Sequence, residues 1–130
     1  MSGAGSAVEA AAFDRLDQDV SLATVFQDVP EDTMPPVVII GDISAEPFTD
    51  DPTDPDRKVT LTITTITAGE ERLPCSDIQD EVEASLGALR IDRDGWALAF
   101  RSLGSDAQLI GDASGYVGTT TFEIIAFKQD

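Results

Sequence analysis

The chemistry open to this chain is narrow. Its 130 residues include no histidine and one cysteine, with 25 Asp or Glu set against 8 Lys or Arg. Without imidazole, the commonest general base and the commonest nitrogen ligand for a metal are both missing. Cys75 would be a nucleophile only beside a base that lowers its pKa, and no such neighbour is identifiable, so a buried or inert thiol is expected. Carboxylate pairs do acid–base work in glycosidases, but this many acids make chance pairs inevitable. The densest run, Asp50-Asp51-Pro52-Thr53-Asp54-Pro55-Asp56, offers oxygen ligands for Ca²⁺ yet lacks the glycine and the terminal glutamate at EF-hand spacing. Asp92-Arg93-Asp94-Gly95 is short of ligands and reads as a tight turn. Gly111-Asp112-Ala113-Ser114-Gly115 looks like a nucleophile elbow only superficially, and there is no P-loop. These residues predict a chain that is not an enzyme and that needs no cofactor or metal.

The formal net charge of −17 points the same way. Sequence-independent binding to nucleic acid or to an anionic membrane needs clustered Lys and Arg, which are absent, and a highly soluble surface is the plain reading of the acids. The lone cysteine excludes an intrachain disulfide. Met1–Ala10 has neither a basic region nor an apolar core, and no run approaches the ~20 apolar residues of a membrane span. A soluble, cytoplasmic chain with no membrane partner is expected.

What must position any site is a small sheet. In Lys58–Thr67, Val59, Leu61 and Ile63 alternate with Thr60, Thr62 and Thr64, so aliphatics line one face of a strand and threonines the other. The alternation slips at Thr65-Ile66, which reads as a bulge or the strand's end. Before it, Val37–Ile43 is a strand whose run Val37-Val38-Ile39-Ile40 is apolar on both faces, to be covered by a helix or by another subunit, with Gly41-Asp42 marking a bulge. Trp96–Ser102 and Tyr116–Phe127 are two further strands, the second following a turn at Asp112–Gly115. Between the first two strands, Ser44–Arg57 reads as a long acidic loop broken by Pro47, Pro52 and Pro55, and its one large apolar residue is Phe48.

Two helices flank this pattern. From Ala7, the positions Val8, Ala12, Leu16 and Val20 recur on one face with Phe13 beside them, and Asp19 could cap a short second helix over Val20–Val25. Val29-Pro30-Glu31-Asp32 reads as a turn, and Pro35-Pro36 forces an extended approach to the first strand. Later, Ile78, Val82, Leu86 and Leu89 form a stripe, preceded either by a capping box at Ser76 and Gln79 or by an earlier start with Pro74 in the first turn. The expectation is an α+β fold in the order α-β-β-α-β-β, with a mainly antiparallel four-stranded sheet packed against helices. Residues 1–6 are expected to be flexible and 7–130 to form a single domain.

With the elements in this order, the chain from Ala7 onward resembles the tail terminator (tail-completion) proteins of long-tailed phages and gene transfer agents. Val25-Phe26-Gln27-Asp28-Val29-Pro30-Glu31-Asp32 running into Pro36-Val37-Val38-Ile39-Ile40-Gly41 is similar to the family's V-Y-D-x-V-P … P-Y-V-V-I-G. Val59-Thr60-Leu61-Thr62-Ile63 is followed by a glycine turn and an amphipathic helix, and Asp112-Ala113-Ser114-Gly115 leading to Gly118 and Phe122 is similar to D-P-D-G … H-G … F-R. No aromatic follows Pro36, and Val117 stands where the family has His. The resemblance implies a non-enzymatic virion protein at the head-proximal end of the tail, assembled in the bacterial cytoplasm. There a homo-hexameric ring would cap the tail tube, stop its polymerisation and dock the head's connector, stopper or adaptor protein. DNA would pass through the lumen without specific binding, an acidic channel offering the phosphates no counterion release. The interface candidates are Phe48, Asp50, Asp51, Asp54 and Asp56 in the acidic loop, and Val38 and Ile40 on the first strand. Another head–tail joining or minor virion protein, or an acidic inhibitor mimicking DNA, would share part of this pattern.

Overall fold

The alternating threonine strand is one of a central pair. In the structure, a computed structural model that describes residues 3–28 and 34–129, it runs as β3 over Arg57–Ala68. The elements in chain order are α1 (Ala4–Asp19), β1 (Thr24–Phe26), β2 (Val37–Pro47), β3, α2 (Leu73–Leu86), β4 (Arg90–Arg93), β5 (Trp96–Leu109) and β6 (Gly115–Lys128). All the strands lie in one six-stranded sheet, ordered β1-β2-β3-β6-β5-β4. Every neighbouring pair is antiparallel except β1 with β2, which is parallel. The fold is α+β as expected, but the sheet is larger than four strands and mixed.

Three differences have local causes. The segment after α1 is not a second helix: Ser21 and Leu22 donate their amides to the Glu81 carboxylate of α2, at 3.0–3.2 Å, and the chain continues into β1 with Val25 buried. The alternation slip at Thr65-Ile66 is neither a bulge nor an end, because β3 stays in unbroken register with β6 from Arg57↔Ala126 to Ala68↔Gly115. Thr65 and Thr67 simply occupy the two inward positions after Ile63, at 0% and 2% exposure. The long acidic loop is shorter than expected, since β2 continues through Ser44–Pro47 and pairs Pro47 with Arg57, leaving residues 48–56 as the hairpin tip. The bulge lies where Gly41-Asp42 predicts it, between Ile40 and Ile43.

At the remaining elements, α1 begins at Ala4, earlier than the expected Ala7. Pro74 stands in the first turn of α2 and no side chain caps that helix, so the earlier of the two starts is the real one. Asp94 and Gly95, at φ 51° and 86°, form the two-residue turn between β4 and β5. The Val29–Asp32 turn lies outside the described residues. No helix among the described residues is long and apolar enough to cross a membrane.

Both helices cover one face of the sheet. Val8, Ala12 and Leu16 of α1 and Ile78, Val82 and Leu86 of α2 share a single core with Val59, Leu61 and Ile63 of β3, Phe122 and Ile124 of β6, and Leu98 and Phe100 of β5. The alanines Ala4, Ala7 and Ala11 let α1 sit close to its neighbours. Close approach fixes several glycines, Gly41 and Gly118 among them. A Cβ on Gly41 would meet the Thr62 carbonyl at 2.7 Å, and one on Gly118 would meet the Gln79 amide and the Cys75 sulfur, the latter at 2.8 Å. Gly118→Ala is therefore expected to force α2 off β6 and to destabilise by about 1–3 kcal/mol. The measurement is the midpoint of urea unfolding, and an unchanged midpoint would show that α2 does not press on β6 there.

Candidate functional site

The tip of the β2–β3 hairpin is a built structure, although it is rich in acids and proline. Each end of the tip is tied down by ordinary backbone chemistry. The Phe48 amide donates to the Asp56 carbonyl at 3.2 Å, and the Arg57 guanidinium donates to the carbonyls of Asp54 and Asp56 at 3.0 and 2.8 Å. Within it, short side chains hold the turns. Asp51 accepts from the Thr53 amide and hydroxyl at 2.9 and 2.8 Å, and Asp54 accepts from the Asp56 amide at 2.9 Å and from the Thr49 hydroxyl at 2.9 Å. The two bonds from Thr53, backbone first, hold the Asp51 carboxyl below its ordinary range. Carboxylates spent on amides and hydroxyls do not converge on a common point, and among the described residues no three metal-ligating side chains do so.

The tip also leans on the end of β6. Asp56 accepts from the Lys128 amide at 2.8 Å, and the Phe48 ring meets the Phe127 ring edge-on with centroids 6.0 Å apart. Both rings remain about half exposed, 44% for Phe48 and 45% for Phe127. Of the five tip candidates, Asp51, Asp54 and Asp56 thus shape the tip, while Phe48 and Asp50 present an aromatic and a carboxylate to solvent. Phe127 and Lys128 complete this surface, and no signal in the sequence places the end of the last strand beside the hairpin.

Val38 and Ile40 stand elsewhere. Both are inside the chain's own core, at 0% and 5% exposure, so the chain itself covers that face of β2. On the opposite face of the sheet no helix among the described residues packs. There Thr60, Thr62 and Thr64 of β3 stand beside Thr119 and Thr121 of β6, with Thr62 opposite Thr121 and Thr64 opposite Thr119. Lys58 and Arg101 beside them are paired with Glu46 and Glu123 at 3.1–3.7 Å. Around Thr62 this face offers hydroxyls and compensated charge, while Val37, Ile39, Ile66 and Val117 lie on the same face toward β1.

Cys75 lies under the first turns of α2, fully buried, and desolvation pushes its thiol above the ordinary value while the Thr67 side chain works the other way. A thiol so placed is protonated and inert at neutral pH. Glu81 is raised by desolvation, but the hydroxyl and amide of Ser21 and the amide of Leu22 outweigh this and hold it low, as suits a carboxylate that fastens β1's approach to α2. A shallow groove of about 310 Å³ lies between these segments, lined by Leu22, Pro35, Pro36, Ala68, Pro74 and Ile78.

No protein-family model and no curated protein matches the chain. A solved structure does: a chain in the virion of a native gene transfer agent particle superposes with a TM-score of 0.83 over 96% of this chain and 98% of that one, at 19% sequence identity. Across nearly its whole length, this chain shares its fold with a component of that particle.

Proposed function

We propose that this chain is a structural virion protein that terminates a tail. In this reading a ring of copies, hexameric as in the family it resembles, sits on the head-proximal end of the tail tube. It stops addition of tube protein and offers its other side to the head's connector, stopper or adaptor protein, while DNA passes through the lumen unbound. The observation that carries the reading is the likeness in fold to a gene transfer agent virion chain over 96% of this chain and 98% of that one. Three features fit it. The exposed hairpin tip, with Phe48 and Phe127 among carboxylates, suits a contact with a ring neighbour, the tube or the connector. The threonine face with its paired Lys58 and Arg101 would not trap passing phosphates. The chain's net charge of −17 works in the same direction.

Deleting the gene tests the reading. Electron microscopy of the lysate is expected to show tails of uncontrolled length that fail to join heads, beside heads filled with DNA. Tails of normal length that fail to join would assign the chain to joining rather than termination. Normal tails attached to heads would overturn both.

A further inference from the structure

The sheet ends in two strand edges that nothing else among the described residues covers along most of their length. β4 pairs with β5 only over Trp96–Ala99, and the Phe100 amide donates to the Leu89 carbonyl at 2.8 Å. Beyond that point β5 pairs with β6 alone as far as Leu109. Ile110 donates to the Gly115 carbonyl, so by the alternation of an antiparallel ladder Gln108, Asp106 and Gly104 exchange hydrogen bonds with β6. The amides and carbonyls of Ser105, Ala107 and Leu109 then aim away from the sheet. At the opposite end, β1 covers only Val37–Ile39 of β2. Phe48 donates to Asp56, so Glu46 and Ser44 face β3, while Ile43, Ala45 and Pro47 aim outward. Ser44–Pro47 and Leu103–Asp106 are exposed, Leu103 and Leu109 at 51% and 50%.

We propose that these edges pair with each other between copies of this chain, the free half of β5 in one copy adding antiparallel to β2 of the next. The direction is right: β2 opposes β3, β3 opposes β6 and β6 opposes β5, so β2 and β5 run oppositely in the same sheet. A copy rotated about an axis along the strands therefore presents its β2 antiparallel to this β5. The pattern of outward groups matches too. With Ala107 opposite Ile43 and Ser105 opposite Ala45, the two residues of each pair exchange both of their bonds, about four in all. Asp106 then faces Ser44 and Gly104 faces Glu46, so no like charges stand directly opposite one another, and Glu46 is only diagonal to Asp106. Pro47 has no amide to donate and ends the ladder there. Native sheet edges are usually blocked by lysine, proline or a covering segment, and these two carry a bulge each but are left uncovered by the other described residues. Because the two edges differ, the contact is head-to-tail and repeats, closing into a ring when the rotation permits. The pairing deepens the ring reading above and is tested separately from it.

The test joins the edges covalently. Asp106 and Ser44 fall at a non-hydrogen-bonded position, where Cα atoms stand ~4.5 Å apart and a disulfide fits. The double variant Asp106→Cys/Ser44→Cys, oxidised in the purified chain over a wide range of protein and salt concentration, is expected to give a ladder of covalent oligomers, with neither single variant doing so. Ala107→Pro removes an outward amide that β6 does not use and should weaken self-association about tenfold or more while circular dichroism stays unchanged. The pairing is overturned by the absence of a ladder, by either single variant cross-linking as well as the double, or by a folded Ala107→Pro chain that associates normally. Rings seen by native mass spectrometry without the ladder would remove this pairing and leave the terminator reading standing. A ladder in a chain whose deletion leaves tails normal and joined would do the reverse.

Discussion

Leu86→Ala is expected to lower the stability of the fold by about 2–5 kcal/mol, the range for a leucine truncated inside a core that cannot close over the gap. Leu86 is fully buried in the last turn of α2, in one cluster with Val82, Leu61, Ile63 and Phe122. A domain of this size has a total stability of roughly 5–15 kcal/mol, so the loss would be visible as a large drop in the urea midpoint at nearly constant slope. Thr62→Ala supplies the comparison. Thr62 is on the uncovered face opposite Thr121, half-buried by its neighbours, and its loss removes one cross-strand contact worth about 0.2–1 kcal/mol. If both substitutions shifted the midpoint equally and slightly, the helices would not cover the Val59/Leu61/Ile63 face of β3.

The contrast between those two residues also marks what is legible in the sequence. Period-two alternation in β3 and the Ile78/Val82/Leu86 stripe in α2 are strong because burial repeats them over many residues, and both survive into the packed core. The signal fails where burial and hydrophobicity part company. Thr65 and Thr67 are polar by type yet wholly inside, and the Thr65 hydroxyl finds no hydrogen-bond partner among the described residues. The second half of β5, Arg101–Leu109, is strand by pairing alone, since a mostly exposed edge needs no apolar alternation and Gly104 sits in it at φ 133°. β1 is shorter still, and forms where Glu81 fastens Ser21 and Leu22 just before it and β2 pairs with it. The hairpin tip is legible in place but not in length, because proline-rich acidic sequence hides the Glu46↔Lys58 and Pro47↔Arg57 pairs that extend the strands. The interface candidates divide along the same line. Phe48 and Asp50 emerge at the surface, whereas Val38 and Ile40 are apolar for the sake of the chain's own interior.

With the chain acting as proposed, shortening the hairpin tip should abolish assembly while leaving the fold nearly untouched. Removing Asp50-Asp51-Pro52-Thr53 joins Thr49 to Asp54 and leaves Thr49-Asp54-Pro55 between Phe48 and Asp56, a three-residue connection of a kind hairpins commonly use. The anchors Phe48–Phe127, Asp56 to the Lys128 amide and Arg57 to the tip carbonyls are retained. Asp50, Asp51, Pro52 and Thr53 are all exposed, so the stability cost should stay within about 1 kcal/mol. What is lost is the projecting shape around the two exposed rings, and contacts of this kind concentrate their energy in a few aromatic anchors ringed by weaker neighbours. Complementation of a deletion strain is expected to give no joined particles with the shortened chain, and very few with Phe48→Ala. Asp50→Asn/Asp51→Asn separates charge from shape, because it keeps the tip's length and both rings while halving the carboxylates in Asp50–Asp56. Joined particles from that variant, with none from the shortened chain, would show that the ring or its partner reads the tip by form. Joined, DNA-delivering particles at wild-type yield from the shortened chain would reduce the tip to a passive connection between β2 and β3.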